Sequence, residues 1–204
     1  LHLGKTRFEL QNLLKTCANG SSEFMTNISM SLVGMLYNLQ LLKYAGEDGV
    51  AAYGVLANIA LVLIAISTGI AQGIQPIVSS HPGKKGQPVR HQIRCYALLT
   101  ALLLALLSYA VIFLLADPIA DLFNKDQNTA LTSIAADGMR IYFTSLFFSG
   151  INIVAAVFLS STDRPKQAFI LSLLRGFLLS IPAAFLLAHL FGLTGIWMSL
   201  PVTE

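Results

Sequence analysis

The sequence predicts an all-α integral membrane fold, and three observations carry that expectation. Of the 204 residues, 55% are hydrophobic and only 11% charged, against roughly 25% charged in an ordinary soluble domain. Apolar runs recur at the length of about 20 residues that a helix needs to cross a bilayer core. Loops between those runs alternate between rich and poor in Lys and Arg. Mean hydropathy is +0.69 and net charge +3. Such a composition excludes a disordered chain and a soluble nucleic-acid binder, and leaves too few charges to cover a soluble enzyme.

Residues 1–22 read as an amphipathic linker lying on the membrane surface. Leu10, Leu13, Leu14 and Cys17 fall at helical spacing with Lys5, Arg7 and Lys15 among polar neighbours, and Asn19-Gly20 is expected to break the helix. Residues 23–204 read as one transmembrane unit with spans at about 24–42, 50–77, 96–116, 141–159 and 168–190, and a sixth from 193 that stops at residue 204 inside an apolar run. The second span is long enough to tilt, or to bend near Gly69, Gly73 and Pro76. The third, YALLTALLLALLSYAVIFLLA, has no charge at all. Because the chain opens on Leu1 and ends within an apolar stretch, it reads as a piece of a longer protein.

Loop charge sets the orientation. Lys5, Arg7, Lys15, Lys84, Lys85, Arg90, Arg94, Arg164 and Lys166 fall on one side, and Lys43, Lys125 and Arg140 on the other. Nine against three places the N-terminus in the cytoplasm.

Several chemistries are excluded. Gly83-Lys84-Lys85-Gly86 lacks the glycine spacing and the Lys-Ser/Thr pair of a phosphate-binding loop. No GxSxG elbow occurs and no Asp lies in a span, so no intramembrane protease is encoded. His81 and His91 have no Cys/His cluster around them, so no metal is expected. Cys17 and Cys95 form no CxxC pair and read as reduced thiols.

Polar residues inside the spans fall on three helix faces. Asn27, Ser31, Gly34 and Asn38 are spaced 4, 3, 4 on span one. Ser145, Ser149, Asn152 and Ala156 repeat that spacing on span four, and Asn58, Gly69, Gln72 and Pro76 share a face of span two, with Gln75 beside them. Lipid hydrogen-bonds none of these groups, so the faces must meet protein or water. They read either as helix-packing surfaces, with Gly69 and Gly73 allowing close approach, or as walls of a shared polar cavity. Arg175 is the one charge deep in a span; it reads as capping carbonyls of a neighbour, snorkelling, or serving function. Glu204 reads as a buried carboxylate suited to binding a proton or cation.

The run NISMSLVGMLYNLQLLKYAGEDGVAAYGV, followed by GIAQGIQPIVSSHPGKKG, FLSSTDRPKQAFILSLLRG and FGLTGIWMSLPVTE, resembles the MATE (multidrug and toxin extrusion) transporters, in particular their MepA-like bacterial branch. The positions that carry the resemblance are Asn38, Tyr44, Gly46, Gln72-Gly73-Ile74-Gln75-Pro76, Arg175, Gly195-Ile196-Trp197, Pro201 and Glu204. It implies a six-helix lobe, its last helix truncated, preceded by the cytoplasmic linker and paired in the full-length protein with an N-terminal lobe. It further implies a multi-pass protein of the inner (plasma) membrane that exports organic cations by coupled antiport, with no cofactor and no nucleic acid. Aligned on Ser161-Thr162-Asp163-Arg164-Pro165, the buried carboxylate and tyrosine of the sodium-coupled branch fall on Ser149 and Ser145. That cation site is absent in its usual form. Coupling is then expected to rest on Glu204, on a carboxylate of the first lobe, or on another arrangement, with H+ favoured over Na+. The alternative within the superfamily is a lipid-linked oligosaccharide flippase, in which Arg175 meets a pyrophosphate.

Overall fold

The computed structural model describes residues 10–81, 83, 85–124, 127–162 and 165–204. The stretch 1–9, Lys84, Lys125 and Arg164, used above for orientation, lie outside the described residues. Every element found is helical: α1 (Leu10–Ser79), α2 (Gln87–Leu114), α3 (Ala116–Phe123), α4 (Thr129–Tyr142), a 3-10 turn (Phe143–Ser145), α5 (Leu146–Ser161), α6 (Pro165–Leu173), a π turn (Leu174–Leu179) and α7 (Ser180–Thr203). Four stretches are long and apolar enough to cross a membrane: Glu23–Ser79, Gln87–Leu114, Thr129–Ser161 and Lys166–Thr203. Helix is the form the composition demands, because it pairs every backbone N–H and C=O without help from water.

Two of these stretches fold back on themselves at a glycine. Gly46 (φ 64°, ψ −152°) interrupts α1, and Gly192 (φ 60°, ψ −133°) interrupts α7. Both conformations belong to a region that glycine alone enters cheaply. The arms of α1 return alongside each other, so that Tyr37 and Tyr53 meet edge to face with ring centroids 5.5 Å apart. In each hairpin a second glycine follows three residues later. A Cβ at Gly49 would lie 2.6 Å from Ala45 Cβ, and one at Gly195 would lie 1.9 Å from the Leu187 carbonyl oxygen. The repeated Gly-x-x-Gly thus supplies both the turn and the space for the returning helix.

The expected break at Asn19-Gly20 does not occur; α1 runs through it. One helical glycine costs only about 1 kcal/mol relative to alanine, too little to end a long helix. Gly69 and Gly73 also lie within α1, are exposed, and a Cβ at either would meet nothing within 4 Å. Among the described residues they mediate no helix packing. The segment between the third and fourth spans is more helical than hydropathy suggests. It holds α3 and α4, with Asn128 as the N-cap of α4 accepting from the amides of Ala130 and Leu131. The Asn128 Nδ2 donates to Asp48 Oδ1 at 2.7 Å, tying that cap to the α1 hairpin.

Small residues face inward and large ones outward on α2. Ala97, Ala101 and Ala105 are buried, whereas Leu99, Leu102, Leu103, Leu106 and Leu107 are exposed. Ala101 Cβ lies 3.5 Å from where a Cβ on Gly150 of α5 would stand. Leucine gains nothing by leaving lipid, so close backbone approach over small residues decides the packing. The core joins Tyr37, Leu41 and Leu56 of α1 to Met139, Phe143, Ile196 and Trp197.

Gly195→Ala is expected to destabilise the full-length protein by about 3 kcal/mol, the upper range for overpacking, because the obstacle is backbone. Gly20→Ala, with nothing within 4 Å of the new Cβ, is expected to leave stability unchanged or slightly raised. Thermal unfolding in detergent compares the two.

Candidate functional site

The chain between α6 and α7 leaves regular α-helix for one π turn, Leu174–Leu179, and Arg175 sits in it. A π turn accommodates an extra residue in a helix and recurs at functional positions. Two contacts accompany it here. The Ser180 hydroxyl, five residues on, donates to the Arg175 carbonyl. Gly176 passes so close to α1 that a Cβ on it would lie 2.6 Å from both Cβ and Oγ of Ser29.

After the turn at Gly192, the second arm of α7 returns toward that segment. It brings Thr203 Oγ1 to 3.4 Å from Ser180 Oγ. It also brings Glu204 to Arg175, whose Nη2 donates to Glu204 Oε1 at 2.6 Å. Asn152 Nδ2 of α5 donates to Glu204 Oε2 at 2.9 Å and to the Glu204 carbonyl oxygen at 2.6 Å. Three elements of the lobe therefore meet on one carboxylate. The side chains of Arg175 and Glu204 are only 16% and 9% exposed. Two charges this sheltered sustain each other, and removing either leaves the other uncompensated at a cost of about 3–5 kcal/mol. The Arg140–Asp117 ion pair is 2.5 Å long, but its side chains are 32% and 60% exposed, so solvent screens it to about 0–1 kcal/mol.

A second polar line runs from the same arm into the core. Tyr37 and Ser199 share a hydrogen bond of 2.7 Å. Because the Ser199 hydroxyl donates to the Ile196 carbonyl at 2.6 Å, the tyrosine is the donor to Ser199. Tyr37, Tyr53 and Tyr142 form an edge-to-face triangle with centroids 5.5 to 6.5 Å apart, and Tyr53 also packs against Trp197 at 6.5 Å.

The polar faces expected from spacing separate into different environments. Asn27, Ser31 and Asn38 are exposed, and each donates one turn back along its own helix: to the carbonyls of Glu23 at 3.0 Å, Asn27 at 3.1 Å and Gly34 at 3.0 Å. Asn58 does the same to Gly54 at 2.8 Å, while Gln72 and Gln75 are exposed. Ser145 and Ser149 are buried, and Ser145 donates to the Tyr142 carbonyl at 2.7 Å. A groove of about 840 Å³ opens between the arms of α1, lined by Met30, Ser31, Met35, Asn38, Glu47 and Tyr53 among others. It takes Ser31 and Asn38 from span one but none of Asn58, Gln72, Ser145, Ser149 or Asn152. The three faces do not share this cavity, because helical spacing fixes which residues share a face but not which neighbour covers it.

Of the expected site residues, the structure joins Asn152, Arg175 and Glu204. Among the described residues Arg175 meets a carboxylate 29 positions away. Ser180, Ser199, Thr203 and Tyr37 were not singled out from sequence. An i to i+5 partner such as Ser180 has no place in an α-helical pattern, and only the glycine directly after Arg175 hints at the irregular turn.

This architecture matches known proteins. The MatE family model matches residues 24–186. The multidrug export protein MepA of Staphylococcus aureus (strain MRSA252) is 28% identical over 186 residues, 91% of this chain and 40% of that protein. MepA of Staphylococcus haemolyticus (strain JCSC1435) is 26% identical over 203 residues, 100% of this chain and 43% of that protein. An outward-facing multidrug resistance MATE family transporter of the MOP superfamily superposes with a TM-score of 0.86 at 19% identity, covering 100% of this chain and 46% of that one. A MOP superfamily transporter from Pyrococcus furiosus superposes with a TM-score of 0.87 at 18% identity and the same coverage. The chain thus spans 40–43% of the length of these curated relatives. With more than half of its residues inside the family model and the fold in agreement, the chain belongs to the MatE family of multi-pass membrane transporters.

Proposed function

We propose that residues 1–22 form the cytoplasmic linker and residues 23–204 the C-terminal lobe of a bacterial plasma-membrane multidrug antiporter. In this reading an N-terminal lobe completes the protein, organic cations leave by alternating access between the lobes, and a returning cation drives the cycle. The observation that carries the proposal is the sheltered Arg175–Glu204 pair, with Asn152 on the same carboxylate. Charge inside a membrane domain is costly unless it is paired, and it commonly marks ion pathways.

The pair connects ion occupancy to conformation. A proton on Glu204 cancels its attraction for Arg175 and weakens the contact between the end of α7 and the π turn. Loss of that proton restores it. A bound species drives a conformational change only through a contact that differs between two states, and in this reading the Arg175–Glu204 pair is that contact. Glu204 is read as taking H+ rather than Na+. Its recorded partners are N–H donors from Arg175 and Asn152, whereas a sodium ion requires several oxygen ligands. The groove between the arms of α1 supplies an apolar wall with two methionines, Tyr53, and the polar groups Ser31, Asn38 and Glu47. That mixture suits amphipathic organic cations of varied shape. Arg175, engaged by Glu204, lends no support to a flippase that would need it for a lipid pyrophosphate.

The test is efflux of a fluorescent organic cation from vesicles holding the full-length protein, under an imposed proton gradient and then a sodium gradient. Proton-driven efflux is expected. Glu204→Gln is expected to abolish it while folded protein is retained; undiminished transport by that variant removes Glu204 from coupling. Absence of efflux under both gradients, from folded protein, points instead to the flippase. Asn38→Leu is expected to change substrate preference at normal folded yield, since its side chain is exposed in the groove. Ser149→Leu, at a buried position, is expected to lower stability by about 1–3 kcal/mol through overpacking, read from thermal unfolding.

A further inference from the structure

We infer that the π turn Leu174–Leu179 is a register switch that presents Arg175 to Glu204, held by Ser180 and opposed by the buried Ser29 that lies against Gly176. This rests on the reading that Glu204 carries the coupling ion, and it concerns how that carboxylate is engaged and released. Ser180 and Gly176 are positioning residues, since neither touches the carboxylate.

Three observations support the switch. A π turn is the less favourable local form of a helix and persists where its surroundings hold it. Here the π turn contains Arg175, the one charged residue of the segment, and its guanidinium lies 2.6 Å from Glu204. The Ser180 hydroxyl bonds the carbonyl of Arg175 itself, the i to i+5 pairing that the π register brings within reach. On the other side, Ser29 is fully buried and its hydroxyl has no hydrogen-bond partner among the described residues.

That last feature gives the switch its balance. A buried hydroxyl left unpaired is costly, so the present register carries a cost located directly against Gly176. A one-residue change of register turns the segment by about 100°. It redirects the Arg175 side chain away from Glu204 and moves backbone carbonyls past Ser29, which then gains an acceptor. One register satisfies Glu204 and strands Ser29; the other frees Glu204 and satisfies Ser29. Protonation of Glu204 removes the main reason to stay in the first. Small steps in packed helices of this kind are bistable rather than graded.

The switch is tested through the reactivity of Glu204 toward N,N′-dicyclohexylcarbodiimide, which modifies protonated carboxyls in apolar surroundings. The full-length protein is labelled in membranes and the Glu204 peptide quantified by mass spectrometry. Slow labelling is expected for the unmodified protein and fast labelling for Arg175→Ala. Ser180→Ala and Gly176→Ala are each expected to label about tenfold faster than the unmodified protein, equivalent to about 1.4 kcal/mol of lost restraint. The paired variant Gly176→Ala/Ser29→Gly, which makes room for the new methyl, is expected to return labelling to the unmodified rate. Unmodified rates in Ser180→Ala and Gly176→Ala, beside fast labelling in Arg175→Ala, overturn the switch. So does slow labelling in Arg175→Ala.

If the glycine variants do not fold, amide hydrogen exchange in the unmodified protein decides. Faster exchange over residues 174–180 than over 166–173 supports the switch, and equal exchange overturns it. Failure of the coupling reading shows separately, as undiminished proton-driven efflux by Glu204→Gln.

Discussion

Hydrocarbon offers a charge no partner, so any charge held within a membrane lobe must bring its own. In this lobe Arg175 and Glu204 do so for each other, at 2.6 Å and largely sheltered from solvent. Meeting that requirement draws together parts of the chain that are otherwise independent. The second arm of α7 must return past Ser180 to deliver Glu204, which requires the turn at Gly192 and the bare backbone of Gly195. The α6–α7 helix must present Arg175 inward, which the π turn achieves. Asn152 of α5 completes the carboxylate's hydrogen bonding. The two hairpins built on Gly46 and Gly192 use the same Gly-x-x-Gly device, and between them they place both ends of the fold around one core.

Around this pair, the packing follows the rule of a lipid solvent rather than that of water. The buried face of α2 is alanine apart from Ile112, while most of its leucines face outward. In water the opposite arrangement would win, because leucine burial is the larger hydrophobic gain. In lipid that gain vanishes, and dispersion between closely approaching backbones takes its place. Polar side chains follow a similar economy. The exposed amides of Asn27, Asn38 and Asn58 donate to carbonyls of their own helices, so an exposed polar stripe does not by itself require a water-filled cavity.

Much of this was legible in the sequence, and the limits have physical reasons. The all-α membrane class followed from hydropathy, which depends only on summed transfer energies. Arg175 and Glu204 stood out because a charge amid apolar residues is conspicuous in any window. Their pairing was not legible: it depends on the turn at Gly192 and on a helix phase altered by one residue, and neither leaves a periodic trace. Asn19-Gly20 suggests a break because glycine is a poor helix former, yet its cost is small beside the bonds of a continuous helix. Hydropathy alone does not show the α3–α4 segment, because Asp117, Asp121 and Arg140 lower it, although Asn128 followed by Thr129 carries an N-cap signal. Spacing suggests which polar residues share a helix face, but spacing within one helix says nothing about the helix opposite.

The most direct measurement of the central claim is a double-mutant cycle on stability, using Arg175→Met, Glu204→Gln and the double variant in the full-length protein. If the two side chains are one another's partner, each single change strands a sheltered group and lowers stability. The double variant then recovers much of the loss, with a coupling energy of at least about 1 kcal/mol, within the range for residues in direct contact. Additive losses from the two single changes would contradict the account, because they would mean that Arg175 and Glu204 answer to different partners.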